Sequence, residues 1–80
     1  MDIKVIGMGC KDCDTLYANT VEAVRRLGLE IEPEKVEDLV EIVKLGVMQA
    51  PSLMIDGKLV AAGRVVKTAE LEKMIQKYLH

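Results

Sequence analysis

Two cysteines three positions apart lie between a short apolar run and a helical pattern. Ile3, Val5 and Ile6 are β-branched, as in a buried strand, and the residues that follow them lead through two glycines to Cys10. A helical pattern begins between the two cysteines. On the chain-entropy model, a disulfide from Cys10 to Cys13 closes so small a loop that it contributes on the order of 2 kcal/mol at best. Chemistry explains this pair better than stability does.

The position of the pair at a predicted helix start indicates thiol reactivity. Unpaired N–H groups at a helix N-terminus stabilise a thiolate, which is the reactive form of cysteine. Cys10 comes first and is expected to be the exposed, attacking sulfur, whereas Cys13 is expected to be shielded and to resolve a mixed disulfide. Lys11 favours the thiolate and the carboxylates of Asp12 and Asp14 oppose it. We therefore expect a modestly stabilised thiolate and a reducing pair.

The first helix is predicted to end at Gly28, after two arginines in its last turn. Apolar and polar residues then alternate over residues 29–32, which is typical of a half-exposed strand. Pro33 cannot donate to a sheet ladder, so this strand is predicted at a sheet edge. The apolar face of the helix comprises Leu16, Tyr17, Thr20, Val24 and Leu27.

The second half of the chain predicts a short helix, a hairpin and a final helix. Asp38 and Glu41 form a capping box that opens a helix running to Gly46. After Pro51, the two-residue turn at 56–57 predicts a hairpin between strands at 53–55 and 58–61. Thr68 is predicted to cap the final helix. The apolar stripe of that helix comprises Leu71, Met74, Ile75, Tyr78 and Leu79.

The order strand–helix–strand–helix–strand–strand–helix predicts an α/β fold. The first half favours parallel pairing through a helical crossover, and the hairpin adds an antiparallel pair. We expect one domain over residues 1–80, with a four-stranded mixed sheet and helices on both faces (βαβαββα). His80 is expected at a solvated chain end.

Charge and hydropathy argue against several classes of partner. The net charge is −2, so there is no basic excess to neutralise nucleic-acid phosphates or anionic lipids. No apolar run is long enough to span a membrane, and residues 3–8 are too short for a signal-peptide core. We expect no nucleic-acid or membrane partner, and a cytoplasmic location.

The chain resembles the thioredoxin/glutaredoxin superfamily, in particular its small archaeal- and anaerobe-type thioredoxin-like members. Four features carry the resemblance: the Cys10–Cys13 motif after the first strand, the order of the elements, Pro51 before the third strand, and Gly63 after the fourth. The resemblance implies that Pro51 is cis and packs beside the disulfide. It also implies that the Ala50 backbone pairs with an extended substrate segment, and that Gly63 keeps the opposite wall open.

The resemblance further implies a disulfide reductase or electron carrier that works without a cofactor or metal. Its expected partners are disulfide-containing protein substrates and a thioredoxin-reductase-like dithiol donor, and a monomer is expected. Three positions depart from the family pattern. Lys-Asp separates the cysteines, Gly9 stands where a Trp is usual, and Lys4 stands where thioredoxins keep a buried carboxylate. The chain has no recognisable glutathione-site constellation.

Two alternative functions remain open at the level of sequence. Met8, Cys10 and Cys13 also match the M-x-C-x-x-C loop of small copper carriers, whose soft sulfurs suit Cu(I). Those domains end in a strand, whereas this chain is predicted to end in an amphipathic helix. The other alternative is an interaction module with incidental thiols. Met8 and Met48 are predicted either to line the site as an adaptable apolar rim or to fill the core.

Overall fold

A computed structural model describes residues 1–79 and contains four strands and three helices. His80, expected at a solvated chain end, lies outside the described residues. The elements in chain order are β1 (Ile3–Ile6), α1 (Lys11–Arg26), β2 (Glu34–Val36), α2 (Leu39–Lys44), β3 (Ser52–Ile55), β4 (Lys58–Ala62) and α3 (Thr68–Gln76). This order is the predicted one.

The strands form one mixed sheet in the order β2-β1-β3-β4. β1 pairs in parallel with β2 through the α1 crossover, and it pairs antiparallel with β3. β3 and β4 form the predicted antiparallel hairpin. Asp56 and Gly57 have φ values of 50° and 80°, the positive φ at both central positions that a type I′ turn requires.

Helices cover both faces of this sheet, as predicted. Because side chains alternate along a strand, Ile3 and Val5 face α1 and α3, whereas Ile6 faces the α2 side. The core on the first face includes Leu16 of α1 and Leu71 of α3. The core on the second face is smaller and consists of Ile6, Val36, Val47 and Met54, with Ile42 and Leu45 packed against it.

The second strand lies after Pro33, so its predicted position at residues 29–32 is wrong. Leu29 and Ile31 do point towards the core, but the Leu29 N–H donates to Val24 O at the end of α1 rather than to a strand. The alternating residues 29–32 therefore belong to a loop that packs against the core. Pro33 lacks an N–H and precedes the pairing residues, and its carbonyl accepts a hydrogen bond from Tyr17 Oη at 3.1 Å. The expectation that this strand lies at a sheet edge is met.

The starts of α2 and α3 differ in detail from the sequence prediction. Asp38 caps α2 as expected, and its carboxylate accepts from the Val40 N–H at 3.1 Å. The predicted capping box is not formed, because within residues 1–79 the side chains of Asp38 and Glu41 make no reciprocal hydrogen bonds with each other's N–H groups. Thr68 is the first residue of α3 rather than its cap. The cap position is Lys67, which makes no side-chain capping bond. In residues 1–79 no helix has both the length and the apolar character that a membrane crossing needs.

Candidate active site

Cys10 occupies the N-cap of α1 and is exposed. The chain leaves β1, turns at Gly9 with φ 68°, and places Cys10 in an extended conformation at the helix entrance. The Cys13 N–H donates to Cys10 Sγ at 3.1 Å, and the Asp14 N–H donates to the Cys10 carbonyl at 3.1 Å. The sulfur therefore acts as the capping acceptor of the helix. A negatively charged sulfur accepts such a bond more strongly, so this geometry favours the thiolate.

Cys13 lies one turn inside the helix and is only 1% exposed. It forms a disulfide with Cys10, and the Cα atoms of the two residues are 5.1 Å apart. Gly7 is buried beside it. The placement of the two sulfurs, one exposed and one covered, is the one expected from the sequence.

The charge of Asp14 is compensated by a neighbour that the sequence does not reveal. Lys35 of β2 forms an ion pair with Asp14, with Nζ 2.5 Å from Oδ1, and its ammonium also lies 5.6 Å from the centre of the Tyr17 ring. The hydrogen bond to Asp14 raises the pKa of Lys35 above its ordinary value, against the opposing effect of desolvation. The expectation that Asp14 opposes the Cys10 thiolate therefore needs revision, because Lys35 offsets this carboxylate.

Ala50, Pro51 and Gly63 lie close to one another. The Ala50–Pro51 peptide bond is cis, and Pro51 is buried while Ala50 is exposed. The Gly63 N–H donates to Pro51 O at 2.9 Å, and Gly63 has φ 70°. A Cβ built on Gly7 would lie 3.9 Å from Ala50 Cβ and would also overlap the Cys13 side chain. Ala50 therefore lies close to Gly7 and Cys13, and Gly63 is tied to Pro51, the residue after Ala50.

Lys4 stands at the position where thioredoxins keep a buried carboxylate, so this chain has a lysine there instead of an acid. Its Nζ lies 2.6 Å from Asp2 Oδ2, and this hydrogen bond raises the pKa of Lys4 above its ordinary value. Lys4 pairs with Met54 in the sheet, near the hairpin turn and away from the helix entrance. Within residues 1–79 the buried polar side chains are Thr20 and Ser52, so no described carboxylate is buried.

An apolar groove lies between α2 and the loop that leads to Pro51, and the sequence predicted only part of its lining. Met8 and Met48 are exposed and line this groove, which is the rim alternative rather than the core alternative. Leu39 and Val43 of α2 also line it, and sequence reasoning missed them. Their helical spacing was visible in the sequence, but nothing there showed that this face lacks a covering element.

The fold of the described residues differs from that of the copper-carrier alternative. Residues 1–79 contain no cluster of three or more His, Cys, Asp or Glu side chains suited to a metal ion. The last described element is the helix α3, whereas the copper-carrier pattern ends in a strand.

Known proteins that resemble this chain agree with the geometry. Residues 1–76 match the family model described as a thioredoxin domain. A thioredoxin of Methanothermobacter thermautotrophicus is 37% identical over 75 residues, which is 94% of this chain and 97% of the relative. A thioredoxin of Methanocaldococcus jannaschii is 32% identical over 77 residues, covering 96% and 88% of the two chains. The chain therefore belongs to the thioredoxin family and is a thiol–disulfide oxidoreductase with a Cys10–Cys13 pair.

Proposed function

We propose that this protein reduces disulfides of protein substrates, with Cys10 as the attacking thiolate and Cys13 as the resolving thiol. The observation that carries the proposal is the exposure of Cys10 at the cap of α1, while Cys13, one turn inside the helix, is buried. An incoming disulfide has access to the first sulfur but not to the second.

The proposed reaction has two exchange steps. The Cys10 thiolate attacks one substrate sulfur, forming a mixed disulfide and releasing the other substrate sulfur as a thiolate, which takes a proton from solvent. Cys13 then loses its proton and attacks Cys10 Sγ. This step forms the intramolecular disulfide and releases the second substrate thiol. The substrate gains two electrons from the Cys10–Cys13 pair and two protons. One proton balances the one that Cys13 loses, and the other comes from solvent because Cys10 reacts as the thiolate.

The proposed substrate groove lies over Ala50, Pro51 and Gly63. Ala50 is exposed, and its backbone is proposed to pair with an extended segment that carries the substrate disulfide. The hydrogen bond from Gly63 to Pro51 holds the two walls of this groove together. Residue 63 has no side chain that would narrow it.

A dithiol donor of the thioredoxin-reductase type completes the proposed cycle by reducing the Cys10–Cys13 disulfide. We further propose that residues 1–80 act as a single monomeric domain in the cytoplasm, without a metal or cofactor. The support is that one thioredoxin domain model matches residues 1–76, and that no helix within residues 1–79 could cross a membrane.

Covalent trapping tests the two roles. Cys13→Ser removes the resolving thiol, so partner proteins should remain attached to Cys10 and be released by a reductant. The matched variant Cys10→Ser should trap little and should not turn over. In the reduced wild-type protein, iodoacetamide should label Cys10 first at neutral pH, as read by mass spectrometry. Partners attached through Cys13, or faster labelling of Cys13, would reverse the assignment.

A further inference from the structure

Ser52 is a buried polar residue directly after Pro51. It is the first residue of β3 and is 0% exposed. Its hydroxyl donates to the Gln49 carbonyl at 2.7 Å, which closes a turn over residues 49–52. Ala50, whose backbone is proposed to pair with the substrate, lies inside this turn. The hydroxyl therefore ties together the two ends of the segment that carries Ala50.

The partner of the Ser52 hydroxyl distinguishes it from the other buried hydroxyl of the described chain. Within residues 1–79 the buried polar residues are Thr20 and Ser52. Thr20 Oγ1 donates to Leu16 O at 2.7 Å, four residues earlier in the same helix. A bond of this kind is an ordinary way for a threonine inside a helix to satisfy its hydroxyl. The Ser52 hydroxyl instead joins a strand to the loop before it.

The sheet fixes the backbone of Ser52 from both sides. β3 lies between β1 and β4, and Ser52 stands opposite the last residue of each, Ile6 and Ala62. The chain continues from Ile6 towards the two cysteines, and from Ala62 to Gly63. Ser52 is therefore held by the two strands that lead to the reacting residues, and its hydroxyl transmits this fixed position to Gln49.

Further contacts of the turn come from Gly63. The Gln49 side chain lies against this glycine, since a Cβ built on residue 63 would be 3.3 Å from Gln49 Cδ and 3.5 Å from Gln49 Cβ. The Gly63 N–H also donates to Pro51 O at 2.9 Å. Gln49 and Pro51 are thus held in place, while Ala50 between them is exposed. The turn presents Ala50 from a frame that is fixed on both sides.

We infer that Ser52 is a positioning residue for disulfide exchange with peptides, because its hydroxyl holds the Ala50 backbone in the orientation that pairs with the substrate. This inference rests on the proposed function, in which that pairing occurs. Ser52 is buried, so it acts through Ala50 and not on the substrate itself. Without the hydroxyl the turn gains conformational freedom, which pairing then has to remove. A small disulfide without a peptide backbone needs no such orientation.

The two buried hydroxyls provide a matched pair of variants. Ser52→Ala and Thr20→Val each remove a hydroxyl that donates to a backbone carbonyl at 2.7 Å, and only the first of these bonds reaches the turn. Both variants should have a lower Tm than the wild-type protein, because each loses a buried hydrogen bond. Two substrates are compared, an extended peptide with an internal disulfide and the small aromatic disulfide dithiobis-nitrobenzoate.

Ser52→Ala should lower kcat/KM for the peptide by about threefold to tenfold, mainly by raising KM, because one orienting hydrogen bond is lost. Its rate with the small disulfide should equal that of the wild-type protein. Thr20→Val should leave both rates unchanged. Ser52→Thr keeps a hydroxyl at this position and should restore the rate with the peptide. Equal slowing of Ser52→Ala with both substrates, or equal slowing of the two variants with the peptide, would overturn the inference.

Two measurements separate this inference from the proposed function. NMR relaxation of the free reduced protein should show more backbone motion at Gln49 and Ala50 in Ser52→Ala, and none added in Thr20→Val. Unchanged motion in Ser52→Ala would overturn the inference and leave the proposed function standing. N-methylation of the peptide amide that pairs with Ala50 should slow the wild-type protein more than Ser52→Ala. A wild-type rate that is insensitive to N-methylation would refute the proposed pairing at Ala50, and the inference with it.

Discussion

Gly7 lies so close to Cys13 that a Cβ on residue 7 would overlap the sulfur of Cys13 and would stand 2.8 Å from its Cβ. Gly7 is buried and its N–H donates to Val36 O at 3.0 Å, which fixes it between β2 and the start of α1. Every other glycine of the chain has a positive φ, whereas Gly7 does not. The close approach of α1 to the sheet, and not backbone conformation, is what requires glycine here.

Gly7→Ala should therefore disturb both stability and redox chemistry. The added methyl group has to push Cys13 and the first turn of α1 outward, which should lower the free energy of unfolding by about 1–3 kcal/mol. The displaced sulfur should also shift the reduction potential of the Cys10–Cys13 pair. Urea unfolding and a redox titration measure the two effects.

Gly46→Ala is the matched control for this prediction. Gly46 has φ 74° and an added Cβ would meet no atom within 4 Å, so only its backbone conformation opposes a side chain. It should lose about 1–2 kcal/mol of stability and keep the wild-type potential. A wild-type potential in Gly7→Ala as well would show that the contact with Cys13 has no role in the redox chemistry.

Removal of the Lys35 charge should slow the reaction of Cys10. In Lys35→Gln the carboxylate of Asp14 loses its partner and opposes the nearby thiolate, so alkylation of reduced Cys10 should slow by about twofold to fivefold at neutral pH. The midpoint of the rate against pH should move upward. Iodoacetamide kinetics measured over a range of pH provide the measurement.

Two further variants control the Lys35 prediction. Adding Asp14→Asn to Lys35→Gln should restore the rate, since both members of the ion pair are then neutral. Lys4→Gln removes the same charge from the ion pair with Asp2, near the hairpin turn, and should leave the rate unchanged. Similar slowing in both lysine variants would point to net charge instead of the pair with Asp14.

Gly63→Ala should affect peptide substrates through Gln49. With φ 70° at Gly63, a side chain costs about 1–2 kcal/mol of stability. The new Cβ would overlap Gln49 Oε1 and lie 3.3 Å from Gln49 Cδ. The side chain of Gln49, which precedes Ala50 in the chain, therefore has to adopt a different conformation. We expect a lower kcat/KM with a peptide disulfide. The double variant Gly63→Ala/Gln49→Ala should recover part of the kcat/KM but not the stability, because the methyl group of residue 63 remains. A double variant as slow as the single one would exclude Gln49 as a cause.

The features that the sequence predicts correctly depend on local chemistry. The strand that leads to Cys10, the cap at Asp38 and the Asp56-Gly57 turn each need only a few neighbouring residues. The second strand was misplaced because alternation reports which side chains face the core, and not which backbone groups pair. Leu29 and Ile31 satisfy the first condition without the second.

The features that the sequence does not reveal depend on contacts between distant segments. The pair of Lys35 with Asp14 exists because β2 lies beside the first turn of α1, and the strand was predicted elsewhere. The exposure of Leu39 and Val43 was equally hidden, since an apolar face looks the same whether its own chain covers it or not. The contact of Gly7 with Cys13 likewise follows from how closely α1 packs on the sheet.

An ion-pair cluster on α1 should make the free energy of unfolding depend on pH in the acid range. Arg25 and Arg26 both bond to Glu22, with N–O distances of 2.9 and 3.2 Å, and Arg26 also reaches Glu72 of α3 at 3.6 Å. The hydrogen bond from Arg25 is the largest influence that lowers the pKa of Glu22, and desolvation opposes it. Because the folded protein holds this pKa below its unfolded value, the stabilisation is complete above the unfolded pKa. It is lost as the pH falls through the folded pKa.

Glu22→Gln should therefore have a lower Tm than the wild-type protein at neutral pH, and the difference should vanish in acid, where Glu22 is protonated. The difference should be small and should shrink further in high salt, because Arg25 and Arg26 are exposed and Glu22 is partly exposed. Glu30→Gln changes an exposed carboxylate outside the ion pairs of residues 1–79, and should leave the Tm unchanged at every pH. Thermal unfolding of the three proteins across the acid range provides the measurement. A Tm difference for Glu22→Gln that stays constant with pH would assign its effect to side-chain packing instead of charge.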